Sequence, residues 1–200
     1  MKLLIATTNE GKVREYRHLL RDVPFELVTV VDLGITDKPE EIGHTLEENA
    51  SLKARFYTEK TGIPVLADDT GLEIDAVGGE PGIYARRWPG HEATDQELID
   101  YALKRLEGVP DEKRTARFRA VVAIAKDRQD IRLFDGIMEG YIATSAHYPI
   151  VAGYPYRSLL SLTLGGKVLS EFTVEELEDM HRKLAVDKAF PFLLEISQEM

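Results

Sequence analysis

The first stretch of the chain fixes its fold class. Leu3-Leu4-Ile5-Ala6 is a continuous apolar run, the pattern of a short strand covered on both faces. A polar turn follows at once, and Val13, Tyr16, Leu19 and Leu20 then recur at helical spacing, predicting a helix from about Glu10 to Arg21. Phe25 to Val31 reads as a second strand. Strand, helix and strand in succession build a sheet with helices packed on it, so an α/β fold is expected.

The remainder extends that pattern. Asp32 to His44 is an acidic loop with Gly and Pro. Thr45…Glu48, Thr94…Glu97 and Thr173…Glu176 each have capping-box spacing and mark helix starts. Val65 to Ala67 predicts a short strand that Asp68-Asp69-Thr70-Gly71 leaves as a turn, and Leu72 to Ala76 a further strand, closed by Gly78-Gly79 and Pro81-Gly82. Arg117 to Ala125, Ile131 to Phe134 and Ile137 to Thr144 read as long antiparallel strands in the middle of the sheet, with a hairpin turn at Asp127 to Asp130. The last helix is expected to start near Thr173, to carry Leu177, Met180 and Leu184 on one stripe, and not to run regularly past Pro191. Neither a repeat nor a linker divides residues 1–200, so one domain with a long mixed sheet and helices on both sides is expected.

Composition narrows the function. Thirty-five acidic residues against 25 basic give a net charge of −10, a poor basis for binding a nucleic-acid polymer. Zero cysteines exclude disulfides, thiol nucleophiles and thiolate metal sites. The five histidines lack metal-motif spacing, and no G-x-S-x-G elbow supports a serine hydrolase. The apolar start is too short for a signal peptide, and nothing approaches the ~20 apolar residues of a membrane span. A cytoplasmic protein is expected.

Four segments can carry chemistry. Thr7-Thr8-Asn9-Glu10-Gly11-Lys12 joins strand to helix, where backbone N–H groups, the helix dipole and Lys12 favour an anion; the bland alternative is that Asn9 caps the helix and Lys12 is solvated. Asn49 and Lys53 lie one turn apart on the flank of a helix whose buried stripe is Leu46, Ala50, Ala54 and Tyr57. Glu48 already has a capping task there. Asp68-Asp69 closes a buried strand, the place where α/β sheets put ligands, and carboxylates with Glu40 or Glu41 from the acidic loop would suit Mg²⁺; an Asx-turn would explain one of the two aspartates. Gly78 to Trp88 offers Tyr84 and Trp88 as flat faces and Arg86 and Arg87 as phosphate forks, or an aromatic loop packed on the core.

Together these segments resemble the inosine triphosphate pyrophosphatase family. The resemblance rests on Ala6-Thr7-Thr8-Asn9-Glu10-Gly11-Lys12-Val13-Arg14-Glu15, Glu48-Asn49-Ala50 with Lys53-Ala54, Ala67 to Leu72, and Gly78 to Tyr84 with Arg87. These run in the family's order and spacing through most of residues 1–145. The resemblance implies a cleft between two lobes of a long sheet, and a metal-dependent hydrolase releasing monophosphate and pyrophosphate from non-standard purine triphosphates such as ITP, dITP and XTP. Thr7, Thr8, Asn9 and Lys12 would cradle the triphosphate. Lys53 would neutralise phosphate charge, Asn49 and Thr70 would contact substrate, and Glu40 with Asp69 would hold Mg²⁺. Asp69, beside Asp68, would activate the attacking water. Tyr154, His181 and Arg182 would line the pocket, and a homodimer is expected from the same resemblance.

The last third departs from the family pattern. Phe-Gly-Tyr-Asp-Pro becomes Ala152-Gly153-Tyr154-Pro155-Tyr156, and Glu-Glu-Lys…Ser-His-Arg becomes Glu175-Glu176-Leu177…Met180-His181-Arg182, one residue shorter. Since those are the family's base-reading positions, two alternatives stay open: the same chemistry on a different nucleotide, or nucleotide binding without turnover.

Overall fold

The opening strand is paired on both sides. Lys2–Ile5 (β1) lies parallel to Glu26–Thr29 (β2), with Leu3 opposite Leu27, and parallel to Val65–Ile74 (β3), with Ile5 opposite Leu66. Leu3, Leu4 and Ile5 are all buried, which is why the run is continuously apolar rather than alternating. The computed structural model describes residues 1–173 and 181–199. The remaining strands are Glu80–Gly82 (β4), Thr115–Ala125 (β5), Ile131–Ile142 (β6) and Leu160–Ser161 (β7), in sheet order β2-β1-β3-β5-β6-β7 with β4 added to β3. β4 pairs antiparallel with β3, and β7 antiparallel with β6, so the sheet is mixed. The helices are Glu10–Leu19 (α1), Leu46–Thr61 (α2), Asp95–Arg105 (α3) and His181–Glu199 (α4). The architecture is α/β, a mixed sheet with helices on both sides.

The chain divides into two compact units. The first holds Met1–Asp69, Ala120–Gly136 and the described residues from Arg182 onward. Its core packs Leu3, Ile5 and Leu66 with Tyr16 and Leu20 of α1 and Ala185, Ala189 and Leu193 of α4. The second holds Thr70–Arg119 and the described residues of Ile137–His181. There Leu72, Ile74, Leu98, Ile99 and Leu160 share one buried core with Trp88. Arg114, inside this second unit, donates to the carbonyls of Leu106, Ile142 and Ala143, so a buried cation is spent on backbone.

Four expectations change. Asp68 to Gly71 is no turn: β3 runs unbroken through it. Gly71 is required for close approach instead, because a Cβ there would stand 2.7 Å from the carbonyl oxygen of Gly82. Ile131 to Phe134 and Ile137 to Thr144 join into the single strand β6. α4 continues through Pro191, although proline removes a helical hydrogen bond at a cost of ~3 kcal/mol. Burial of Phe192, Leu193 and Ile196 just beyond it holds the helix together. Leu184 is exposed, and the buried stripe is Ala185, Val186, Ala189, Phe192, Leu193 and Ile196. The Thr173…Glu176 cap, Leu177 and Met180 lie wholly or partly outside the described residues. Trp88 is core, donating its indole N–H to Glu80 at 2.8 Å and packing edge-on against Tyr101.

Candidate active site

β3 presents its two aspartates by the alternation of a strand, which turns neighbouring side chains to opposite faces. Asp69 faces α2. Lys53 Nζ donates to its Oδ1 at 2.7 Å, and Asn49 Nδ2 approaches Oδ2 at 3.4 Å. The one-turn spacing of Asn49 and Lys53 on α2 delivers both to the same carboxylate. Lys53 also donates to the Asp68 carbonyl at 3.1 Å and pairs with Glu41 at 2.9 Å.

The acidic loop is fastened to the same helix. Asn49 Oδ1 accepts the Gly43 N–H at 2.9 Å, and a Cβ on Gly43 would stand 2.6 Å from that oxygen. Thr45 caps α2 by accepting from Glu48 N–H, while the Glu48 carboxylate accepts from His44 N–H. These ties bring Glu41 to Lys53. Glu41 is the loop carboxylate that reaches Lys53; Glu40, the sequence expectation for the metal site, and Glu41 are both exposed. One residue of register in a loop with no hydrophobic period separates the two.

Asp68 faces the other way, into ion pairs. Lys12 Nζ donates to its Oδ2 at 2.8 Å and Arg182 Nε stands at 3.5 Å; Arg182 also pairs with Glu15 at 3.0 Å. Burial alone would push Asp68 up, but Lys12, Arg182 and Lys53 outweigh it and hold the carboxyl well below the carboxylate range. Asp69 goes the opposite way: burial pushes its carboxyl up in spite of Lys53. Lys53 is itself raised, because Asp69, Asp68 and Glu41 outweigh its burial. Burial wins at Lys12, which is lowered despite Asp68.

The loop from Thr7 to Lys12 is part of the same unit. Asn9 Oδ1 accepts from Gly11 and Lys12 N–H, so Asn9 is the cap of α1. Thr7 accepts from Asn9 N–H, and Thr8 is exposed. Sequence reasoning read Tyr16 only as part of the apolar stripe of α1 and gave Glu15 no part in the site; Glu15 lies on the turn of α1 that follows Lys12, and this helical spacing is the signal that marks it.

Thr70, Tyr154 and His181 belong to the second unit. The Arg157 guanidinium lies over the Tyr154 ring at 4.1 Å, and the His181 ring stacks on Phe118 at 5.4 Å. Arg86 pairs with Asp95 at 2.6 Å.

Sequence comparison matches residues 3–192 to the Ham1 family. A dITP/XTP pyrophosphatase of Thermoanaerobacter sp. is 40% identical over 200 residues, all of both chains. One from Yersinia pestis is 43% identical over 178 residues, 88% of each. Among solved structures, a HAM1 protein from Coxiella burnetii superposes with a TM-score of 0.86 at 31% identity, covering 98% of this chain and 99% of that one. The Staphylococcus aureus Ham1 protein gives 0.84 at 28%, covering 96% and 98%. The chain belongs to the Ham1 family.

Proposed function

We propose that the chain hydrolyses nucleoside triphosphates of the dITP, ITP and XTP class to the monophosphate and pyrophosphate. The observation that carries this is the Asp69 carboxylate, held by Lys53 at 2.7 Å and set beside Asn49 and Glu41. The family relatives named dITP/XTP pyrophosphatases support the substrate class.

The donor set suits a hard divalent cation such as Mg²⁺. Glu41 and Asp69 meet at one ammonium, so two carboxylates already point to one place. Among the described residues no group of three or more His, Cys, Asp or Glu is placed to hold an ion alone. Water and phosphate oxygens would complete the shell, as Mg²⁺ prefers. When bound, the ion neutralises charge on the phosphates.

Lys53 occupies Asp69 Oδ1, which leaves Oδ2, with its long contact to Asn49, to take a proton from water. Burial makes this carboxylate a stronger base than a surface aspartate. The water oxygen bonds to the α-phosphorus, the P–O bond to the bridging oxygen breaks, and its electron pair leaves with pyrophosphate. Lys12 and Lys53 offset charge on the triphosphate, with Thr7, Thr8 and Asn9 beside it. Asp68 keeps Lys12 in place. Thr70, Tyr154, His181 and Arg182 enter as substrate contacts on the family resemblance, as do a homodimer and a cytoplasmic address. Sedimentation showing only a 22.5 kDa species at micromolar protein would remove the dimer.

The test is pyrophosphate release from inosine, xanthosine and common ribo- and deoxynucleoside triphosphates, with Mg²⁺ and with chelator. Metal-dependent release favouring inosine or xanthosine, abolished by Asp69→Asn, is expected. Ala152 and Pro155, at family base-reading positions, favour one second reading, the same chemistry on another base, which the panel would display directly. Wild-type turnover by Asp69→Asn would refute the mechanism.

A further inference from the structure

Asp95 is the first residue of α3, yet the helix does not need it as a cap. Thr94 accepts from the Glu97 N–H and the Glu97 carboxylate accepts from the Thr94 N–H, which closes the capping box without it. The Asp95 carboxylate joins two other segments instead. Its Oδ1 accepts from Arg86 Nη1 at 2.6 Å, and its Oδ2 accepts from the Gly153 N–H at 2.7 Å. Arg86 is aimed by its own loop: Nη2 donates to the Ala93 carbonyl at 3.4 Å, and the Ala93 N–H to the Arg86 carbonyl at 3.1 Å.

Gly153 lies in the turn 151–154, which the Tyr154 N–H closes on the Val151 carbonyl at 2.9 Å. Its φ of +80° is one that glycine adopts without strain. The foot of the turn is fixed, because Pro155, Tyr156 and Ser158 are buried and the Tyr156 hydroxyl donates to the Ala85 carbonyl at 2.7 Å. Val151, Ala152 and Gly153 are exposed and small or aliphatic, so packing does little to hold them. A charge-assisted bond from Asp95 supplies the fixed point that packing does not.

We propose that Asp95 is a positioning residue for base selection: by accepting the Gly153 N–H it sets the turn that carries Ala152 and Tyr154. The inference rests on the reading of this turn as a base contact. Without the carboxylate the turn samples several positions, and the nucleotide base loses a defined partner.

The test is pyrophosphate release from the nucleotide panel with Mg²⁺, with inorganic tripolyphosphate as an inhibitor that has no base. Asp95→Ala should raise KM for the favoured nucleotide about tenfold, the worth of one hydrogen bond to a charged group. The kcat/KM ratio between the best and the poorest base should shrink by a similar factor. Its kcat should stay within about twofold and the inhibition constant of tripolyphosphate should not move, because Lys12, Lys53 and Asp69 are untouched. Arg86→Met, which leaves the carboxylate on Gly153 but removes its aim, should shrink the ratio about threefold, and it decides the matter if Asp95→Ala does not fold. Thr94→Ala weakens the cap of α3 without touching Asp95 and should keep the wild-type ratio. An unchanged ratio in Asp95→Ala, an equal loss in Thr94→Ala, or a tripolyphosphate constant that rises with KM overturns the proposal. If the wild-type protein releases no pyrophosphate from any triphosphate, the proposed function fails instead, and calorimetric binding of the same panel decides the role of Asp95. Equal affinities in wild type and Asp95→Ala would then overturn it.

Discussion

Lys53 and Asp69 meet at 2.7 Å across two elements, the ammonium one turn past Asn49 on α2 and the carboxylate on the face of β3 turned toward it. Asp68, the preceding residue, is turned to Lys12 and Arg182 instead. Two aspartates adjacent in sequence are thus two separate devices. One is a carboxylate raised by burial and available for proton transfer, and the other is held charged by its cations.

Lys53→Met should lower kcat/KM by about 100-fold or more, the usual cost of deleting a charge that stabilises the transition state. Steady-state pyrophosphate release checks this. A change under about threefold would remove Lys53 from the chemistry.

Glu41→Gln should weaken the Mg²⁺ dependence of the rate by about tenfold or more, whereas Glu40→Gln should leave it near wild type. Titrating the rate with Mg²⁺ separates them. The reverse order would return the site to the sequence expectation.

Asp68 gives a pH prediction for the metal-free protein. Its folded carboxyl lies below the unfolded value of about 3.9, so its contribution is full above that pH and is lost as pH falls toward the folded value. The stability gap between wild type and Asp68→Asn, read by urea unfolding with chelator, should stay constant from about pH 7 to 5 and shrink below about 4. A gap already closing near pH 6 would mean the carboxyl is raised.

Pro191→Ala should stabilise the protein by about 1–3 kcal/mol, because it restores a helical donor where the flanking turns are buried. A loss of stability in urea would show instead that the packing of α4 depends on the proline ring.

Much of this was legible in the sequence. The run Leu3 to Ala6 announced a doubly covered strand, and the spacing of Asn49 and Lys53 announced a shared direction. Local signals failed where tertiary contacts decided. Asp68 to Gly71 looks like a turn because two carboxylates and a glycine disfavour a strand, yet Lys12, Arg182 and Lys53 compensate the charges and Gly82 needs the space at Gly71. Pro191 looks like a stop because the cost is local and the compensating burial of Phe192, Leu193 and Ile196 is not. Which of Glu40 and Glu41 reaches Lys53 was not legible either, since only the tie from Gly43 to Asn49 sets the loop register.

The most direct test of the central claim is hydrolysis of dITP in ¹⁸O-labelled water with Mg²⁺, followed by mass analysis of both products. Attack of water at the α-phosphorus predicts one ¹⁸O in the monophosphate, none in the pyrophosphate, and loss of the reaction in Asp69→Asn. Label in the pyrophosphate, or release of orthophosphate in place of pyrophosphate, would contradict it.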